Sequence, residues 1–295
     1  MSDLVDPASA VATEPHAAHE QHPPRRWPPS LIAGVIMVGL TTLVGVIAQF
    51  WTPYSLDSVG DGGRLDGPSA QFWIGTDRLG RDLFSQLMGG ANSAVIVAIS
   101  AVLIAGILGI VIGVLAAATT RWVDVALLNF VDLLIAFPTL LLAMLVVTVR
   151  GASLSSAVFA IGIAGSAVIA RVTRINTARV LREDYVTAAT ASGTGWFGII
   201  FRHVLPNIYP TLLVQLMLLA GSAILAEASL SYLGLGAPPP APSWGRMLKE
   251  AQSTISAQPW GAIMPGIAIA WTVLGLNLLG DGVRERTDPS LRGDR

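Results

Sequence analysis

The stretch SAVIVAISAVLIAGILGIVIGVLAAATT, residues 93–120, runs for 28 residues without an Asp, Glu, Lys or Arg. A helix needs roughly 20 residues to cross a hydrocarbon core, so this run spans with length to spare for tilt or extension. Working outward from it, five further apolar segments recur: Leu31–Trp51, Val125–Val149, Gly151–Ala170, Asn207–Ala226 and Pro259–Gly280. The whole chain of 295 residues is 53% hydrophobic and 13% charged, with mean hydropathy +0.63. A water-soluble surface needs about a quarter charged residues, so the deficit belongs to lipid. Backbone in lipid must satisfy itself within helices or closed barrels. These runs are too continuous for the alternation of a barrel. The sequence therefore predicts an all-α membrane protein with six transmembrane helices.

Several chemistries are excluded. There is no Cys, hence no disulfide, thiolate ligand or cysteine nucleophile. Lys249 is the one lysine and follows Leu248, so no Gly-Lys-Ser/Thr phosphate loop exists. Of four histidines, His16, His19, His22 and His203, none forms an HExxH pair, and no metal or cofactor site is expected. No catalytic residue is assigned, because no span holds a histidine and neither Gly-x-Ser-x-Gly nor clustered carboxylates occur. A net charge of −1 gives nucleic acid no basic surface. Any energy source lies in another chain.

Residues 1–29, broken by Pro7, Pro15, Pro23, Pro24, Pro28 and Pro29, read as a disordered cytoplasmic tail. Arg25-Arg26 precedes the first span without the layout of a secretory signal. Residues 30–91 comprise the first helix and an extracytoplasmic loop, 92–283 a five-helix core, and 284–295 a cytoplasmic tail. With both termini inside, 12 of the basic residues fall on the inner side, among them Arg25, Arg26, Arg121, Arg171, Arg174, Arg179, Arg182, Arg202, Arg284, Arg286, Arg292 and Arg295. The outer side holds 6, Arg64, Arg78, Arg81, Arg150, Arg246 and Lys249, as the positive-inside rule requires.

Between the fourth and fifth spans, Arg171–Pro206 is too long for a turn. Arg171, Arg174, Arg179 and Arg182 share one helical face. Beyond them, Ala188, Ala189 and Gly193 permit close approach of another backbone. Trp196, Phe197, Ile199, Ile200 and Phe201 supply apolar area, and Pro206 is expected to stop the helix before the next span. An exposed element of this kind meets a protein partner or the membrane surface.

Thr187-Ala188-Ala189, Gly193, His203 and Leu205-Pro206 resemble, at the same spacing, the EAA loop of ABC-importer permeases, whose motif is EAA-x3-G-x9-I-x-LP. Thr187 replaces the Glu and His203 the Ile, positions at which the peptide-permease branch commonly varies. Three further stretches resemble the second permease subunit of the dipeptide/oligopeptide/nickel group. They are Gly75-Thr76-Asp77-Arg78-Leu79-Gly80-Arg81-Asp82, Leu225–Gly236 running on through Pro238-Pro239-Pro240 to Pro242-Ser243-Trp244-Gly245, and Leu279–Arg284 followed by Asp288-Pro289. Asp132 with Ala136-Phe137-Pro138 also fits, and the resemblance covers about Trp73 to Leu291.

The resemblance implies a type I importer permease fold with alternating access. Within residues 183–206 it implies a coupling helix, around Ala188–Arg202, seated on an ATPase subunit. Ala188, Ala189, Gly193, Trp196, Phe197, Arg202, His203, Leu205 and Pro206 then form the coupling element. The implied partners are a second homologous permease, two ATPases, an extracytoplasmic substrate-binding protein and membrane lipid. Localisation is the plasma (cell inner) membrane, and the solute is a di- or oligopeptide, glutathione or a nickel complex.

The remaining motifs carry two readings each. In the loop motif of Gly75, Thr76, Asp77, Gly80, Arg81 and Asp82, the charged residues Asp77, Arg78, Arg81 and Asp82 form either an ion-paired turn against the helix ends or a contact for the binding protein. Asp132 and Glu227 are ionisable groups close to hydrocarbon, serving the solute pathway or helix packing. Pro138 should bend the third span. Gly109 and Gly113, with Gly162 and Gly165, allow close helix crossings. An ion-driven secondary transporter or channel is the alternative class. It would require charged relays or broken helices at mid-membrane, of which the spans offer almost none.

Overall fold

The computed structural model describes residues 27–287, so the histidines of the tail, Arg25-Arg26 and Asp288-Pro289 lie outside the described residues. Its helices are α1 (Pro29–Phe50), α2 (Leu83–Ala118), α3 (Arg121–Ala136), α4 (Thr139–Arg150), α5 (Leu154–Val180), α6 (Asp184–Ala191), α7 (Trp196–Ile199), α8 (Leu205–Tyr232), α9 (Trp244–Ala251) and α10 (Trp260–Thr287). Among the described residues no strand occurs, only an isolated bridge between Thr76 and Asp82. Five helices are long and apolar enough to cross a membrane: α1, α2, α5, α10 and the 37-residue helix Trp196–Tyr232 that joins α7 to α8. The count reaches six with α3 and α4 taken as one broken span.

The bundle is held by helices that touch backbone to backbone. A methyl group on Gly113 would lie 2.5 Å from the Ala170 carbonyl oxygen, and one on Gly109 2.8 Å from that of Ser166, so α2 and α5 cross at a glycine seam. Gly162 faces Ile104 and Gly165 faces Leu219, which makes these glycines packing positions within the chain. Likewise α1 lies on α10, where Gly34 meets Leu279 and Gly282 meets Leu31. Without water competing between helices, such close contact supplies dispersion that bulky side chains would prevent. One end of the bundle carries residues 51–82 and 233–259 (the loop end); α6 lies at the other.

Four boundaries differ from those read in the sequence. The second span begins at Leu83, ten residues before Ser93, because Asp82 caps it through the Phe84 and Ser85 amides. Polar residues of this first part are satisfied by the loop end: Gln86 Nε2 donates to the Leu56 carbonyl and Ser93 Oγ to that of Pro242. The third span is broken at Pro138, with α3 and α4 at 90°. The proline ring clashes with a helical predecessor, so Phe137 is extended (φ −80, ψ 130) and the helix restarts at Thr139. Pro206, by contrast, does not stop its helix. A π-helical turn at Ile200–Val204, in which the Leu205 amide donates to the Ile200 carbonyl, widens the coil just before the ring. Leu205 stays helical (φ −56, ψ −42), and the helix continues to Tyr232. Finally α10 runs to Thr287, past the start of the expected tail at residue 284.

Candidate functional site

Of the eight residues of α6 only Val186 is buried. It joins Ile199, Ile200, Val204 and Ile208 in an apolar cluster with Ala105 of α2 and Ile169 of α5. The segment is thus anchored by one row of side chains and presents the rest outward. Ala188, Gly193, Trp196, Phe197, Arg202 and Pro206 are exposed, Phe197 to 76%. Ala189 and Leu205 instead lean half-buried on the cluster, and His203 is half-buried with its ring 6.0 Å from that of Tyr185. Ile199 and Ile200 point inward and add nothing to the outer surface.

The expected single helix over Ala188–Arg202 is two pieces. Gly193 at φ +85 ends α6: its amide donates to the Thr190 carbonyl, and the Thr194 amide reaches back to that of Ala189. This is a left-handed cap that a side chain resists. Nothing in the chain lies within 4 Å of a Cβ built there, so within the chain it is the turn that requires glycine. Trp196 then opens the long helix. Beneath α6, Arg174 pairs with Asp124 (2.6 Å) and Arg171 with Asp132, fastening α3 to α5. Asp132 is half-exposed in that pair.

At the loop end, the 75–82 motif folds on itself. Asp77 accepts from the Leu79 and Arg81 amides and from Arg81 Nε at 2.6 Å. Arg81 Nη2 reaches Glu250 on α9 at 2.8 Å, and Arg246 Nε donates to the other Glu250 oxygen at 2.9 Å. Thr76, fully buried, donates to the Gly63 carbonyl and accepts from the Asp66 amide. Gly75 (φ +96) and Gly80 (φ +71) sit where Asp66 and Gly62 carbonyls leave no room for a side chain. Of the four charged residues expected to pair in this turn, Asp77 and Arg81 do, whereas Asp82 caps α2 and Arg78 forms no ion pair among the described residues.

Glu227, 3% exposed, accepts hydrogen bonds from Ser231 at 2.5 Å and Ser243 at 2.9 Å. It ties α8 to the start of α9. Trp244 Nε1 donates to the Leu87 carbonyl, and Gly245 lies directly on Ala228, so α9 is seated between α2 and α8. The sequence reading passed over α9. Its signals were a Ser before Trp244 after a proline run, and Arg246 and Glu250 one turn apart.

Among the described residues no group of three His, Asp or Glu side chains forms a metal site. The arrangement is one of anchors and exposed surfaces. Comparison with known proteins agrees with it: residues 109–293 match the binding-protein-dependent transport system inner membrane component family. The chain belongs to this family. It is 38% identical over 261 residues to the dipeptide transport system permease protein DppC of Alkalihalophilus pseudofirmus, covering 88% of this chain and 86% of that one. It is also 38% identical to the glutathione transport system permease protein GsiD of Pectobacterium atrosepticum (88% and 87% covered) and 39% identical to GsiD of Salmonella paratyphi A (91% and 89%). This permease is therefore a multi-pass inner-membrane transport component.

Proposed function

We propose that this chain is the permease subunit of an ATP-driven importer that moves small peptides, with α6 and the exposed face of Trp196–Arg202 docking on an ATPase subunit. The observation that carries this reading is the surface of α6: seven of its eight residues, all but Val186, are not buried within the chain. Exposed Trp196, Phe197 and Phe201 beside it offer apolar area to a protein partner. The names of its relatives, dipeptide and glutathione permeases, support a peptide solute.

In this scheme both termini and α6 are cytoplasmic, and the 51–82 and 233–259 segments receive the binding protein outside. A second permease completes the pathway and two ATPases drive it. The ordering of the loop supports a preformed outer surface, since Asp77, Arg81 and Glu250 are already paired with one another. Nucleotide binding stays with the ATPases, in keeping with the lack of a phosphate loop.

The test is reconstitution. Proteoliposomes holding this chain with its permease partner, ATPases and binding protein should accumulate peptide only when ATP and the binding protein are both present. Uptake by this chain alone, driven by an ion gradient, would refute the proposal.

A further inference from the structure

The loop end encloses a cavity of about 610 Å³ between the 75–82 turn, the chain that follows α8, and α9. Concave spaces of ~300–1,000 Å³ are the size of small-molecule sites. Arg78, Arg81, Arg246 and Lys249 line it, with Asp77 and Glu250 as its acidic groups. Four of these six neutralise one another: Arg81 with Asp77 and Glu250, and Arg246 with Glu250. Arg78 and Lys249 have no ion pair or hydrogen bond among the described residues. The lining therefore carries two positive charges in excess, both on donors whose valence is open.

Lys249 is placed with care by its surroundings. Its Nζ lies 2.7 Å from where a Cβ of Gly234 would stand, so the bare backbone of that residue (φ +87) makes room for the ammonium at the cavity wall. An ammonium and a guanidinium facing a concave space recognise carboxylates by charge-assisted hydrogen bonds. A flat docking surface would not need such depth.

We propose that this cavity is a solute site of the permease itself, which takes a small peptide by its carboxylates through Arg78 and Lys249. That the solute is a peptide rests on the importer reading above; that it must be anionic rests on the cavity alone.

The full chain, purified in lipid nanodiscs without other subunits, is titrated calorimetrically with alanyl-glutamate and with alanyl-glutaminamide, which has no carboxylate. Alanyl-glutamate should bind, more weakly as salt is raised, and the amide should bind at least tenfold more weakly. Lys249→Gln and Arg78→Gln should each weaken alanyl-glutamate about tenfold. Arg64→Gln, at the same end but outside the lining, should leave it unchanged. Both cavity side chains are exposed and unpaired, so these substitutions remove no native ion pair or hydrogen bond. Equal binding of the two peptides, no binding of alanyl-glutamate, or wild-type binding by both variants would overturn the site. So would lost binding-protein docking with unchanged peptide binding, which assigns the cations to a protein contact. ATP-driven uptake by the whole importer without peptide binding by this chain sinks the site and leaves the importer reading standing. Peptide binding without such uptake does the reverse.

Discussion

Glu250→Ala should loosen α9 from the loop end by an amount that can be worked from one contact. Arg81, its side chain 7% exposed, donates to Glu250 at 2.8 Å and is the ion pair that joins α9 to the 75–82 turn. A hydrogen bond to a charged group contributes about 1.5–3 kcal/mol. Glu250 is 39% exposed, so screening places the pair at the lower end, ~1.5 kcal/mol. The Arg246–Glu250 pair lies within α9, and Arg246 Nη1 adds only a 3.3 Å bond to the Ala241 carbonyl just before the helix. The chain has no Cys, so Ala251→Cys supplies a single thiol on α9 at a position 5% exposed. Where opening is fast compared with labelling, the maleimide reaction rate reports the opening equilibrium. Loss of ~1.5 kcal/mol raises it about tenfold. Arg246→Ala, which removes an i,i+4 pair worth ~0.3–0.5 kcal/mol and the 3.3 Å bond to Ala241, should change it by only a few-fold. Labelling unmoved by Glu250→Ala, or accelerated as strongly by Arg246→Ala, would refute the assignment of Arg81 and Glu250 as the clasp.

Gly113→Val should destabilise the α2–α5 seam by about 1–3 kcal/mol or more, since its side chain meets the Ala170 carbonyl; a lower thermal midpoint in detergent checks this. Gly193→Val forces a β-branched residue to φ +85 at a cost of ~1–3 kcal/mol borne by the α6 turn. Membrane insertion should survive while uptake per ATP hydrolysed falls, and a wild-type ratio would count against α6 as the docking element. Glu227→Gln keeps a carbonyl oxygen for Ser243 and should be mild. Glu227→Leu leaves that buried hydroxyl unpaired, at ~1–3 kcal/mol, read as a larger drop in thermal midpoint.

What the sequence disclosed was whatever local hydropathy and spacing record. The charge-free run at 93–120 and its neighbours marked the spans, and the spacing from Thr187 to Pro206 marked the exposed segment. Pro138 bends its span, as expected, as far as a 90° break, whereas Pro206 leaves its helix intact, and residue type alone does not carry the difference. Phe137 has no compensating turn and becomes extended before Pro138, whereas Leu205 follows a π turn and remains helical before Pro206. The early start of α2 is hidden because Ser85, Gln86, Gly89 and Gly90 read as loop residues until Tyr54 and Leu56 bond the first two and Pro242 and Trp244 cover the glycines. Trp244 against Gly90 and Ser93 to Pro242 are contacts made across about 150 residues of sequence. The clasp from Arg81 to Glu250, 169 residues apart, was invisible for the same reason.

The unbroken course of the helix from Trp196 to Tyr232 has a mechanical consequence. At 1.5 Å per residue its 37 residues measure about 55 Å. Its one soft stretch, the π turn with Pro206 and Pro210 close behind, lies beside α6, where a pivot belongs. Beyond Pro210 the rod has no joint. From Pro210 to Tyr232 the rod is about 33 Å long, so a swing of about 5° about that pivot displaces the far tip by roughly 3 Å. Near that tip Glu227 grips Ser243. A small rotation at the α6 end is thus converted into a displacement of roughly 3 Å at the loop end.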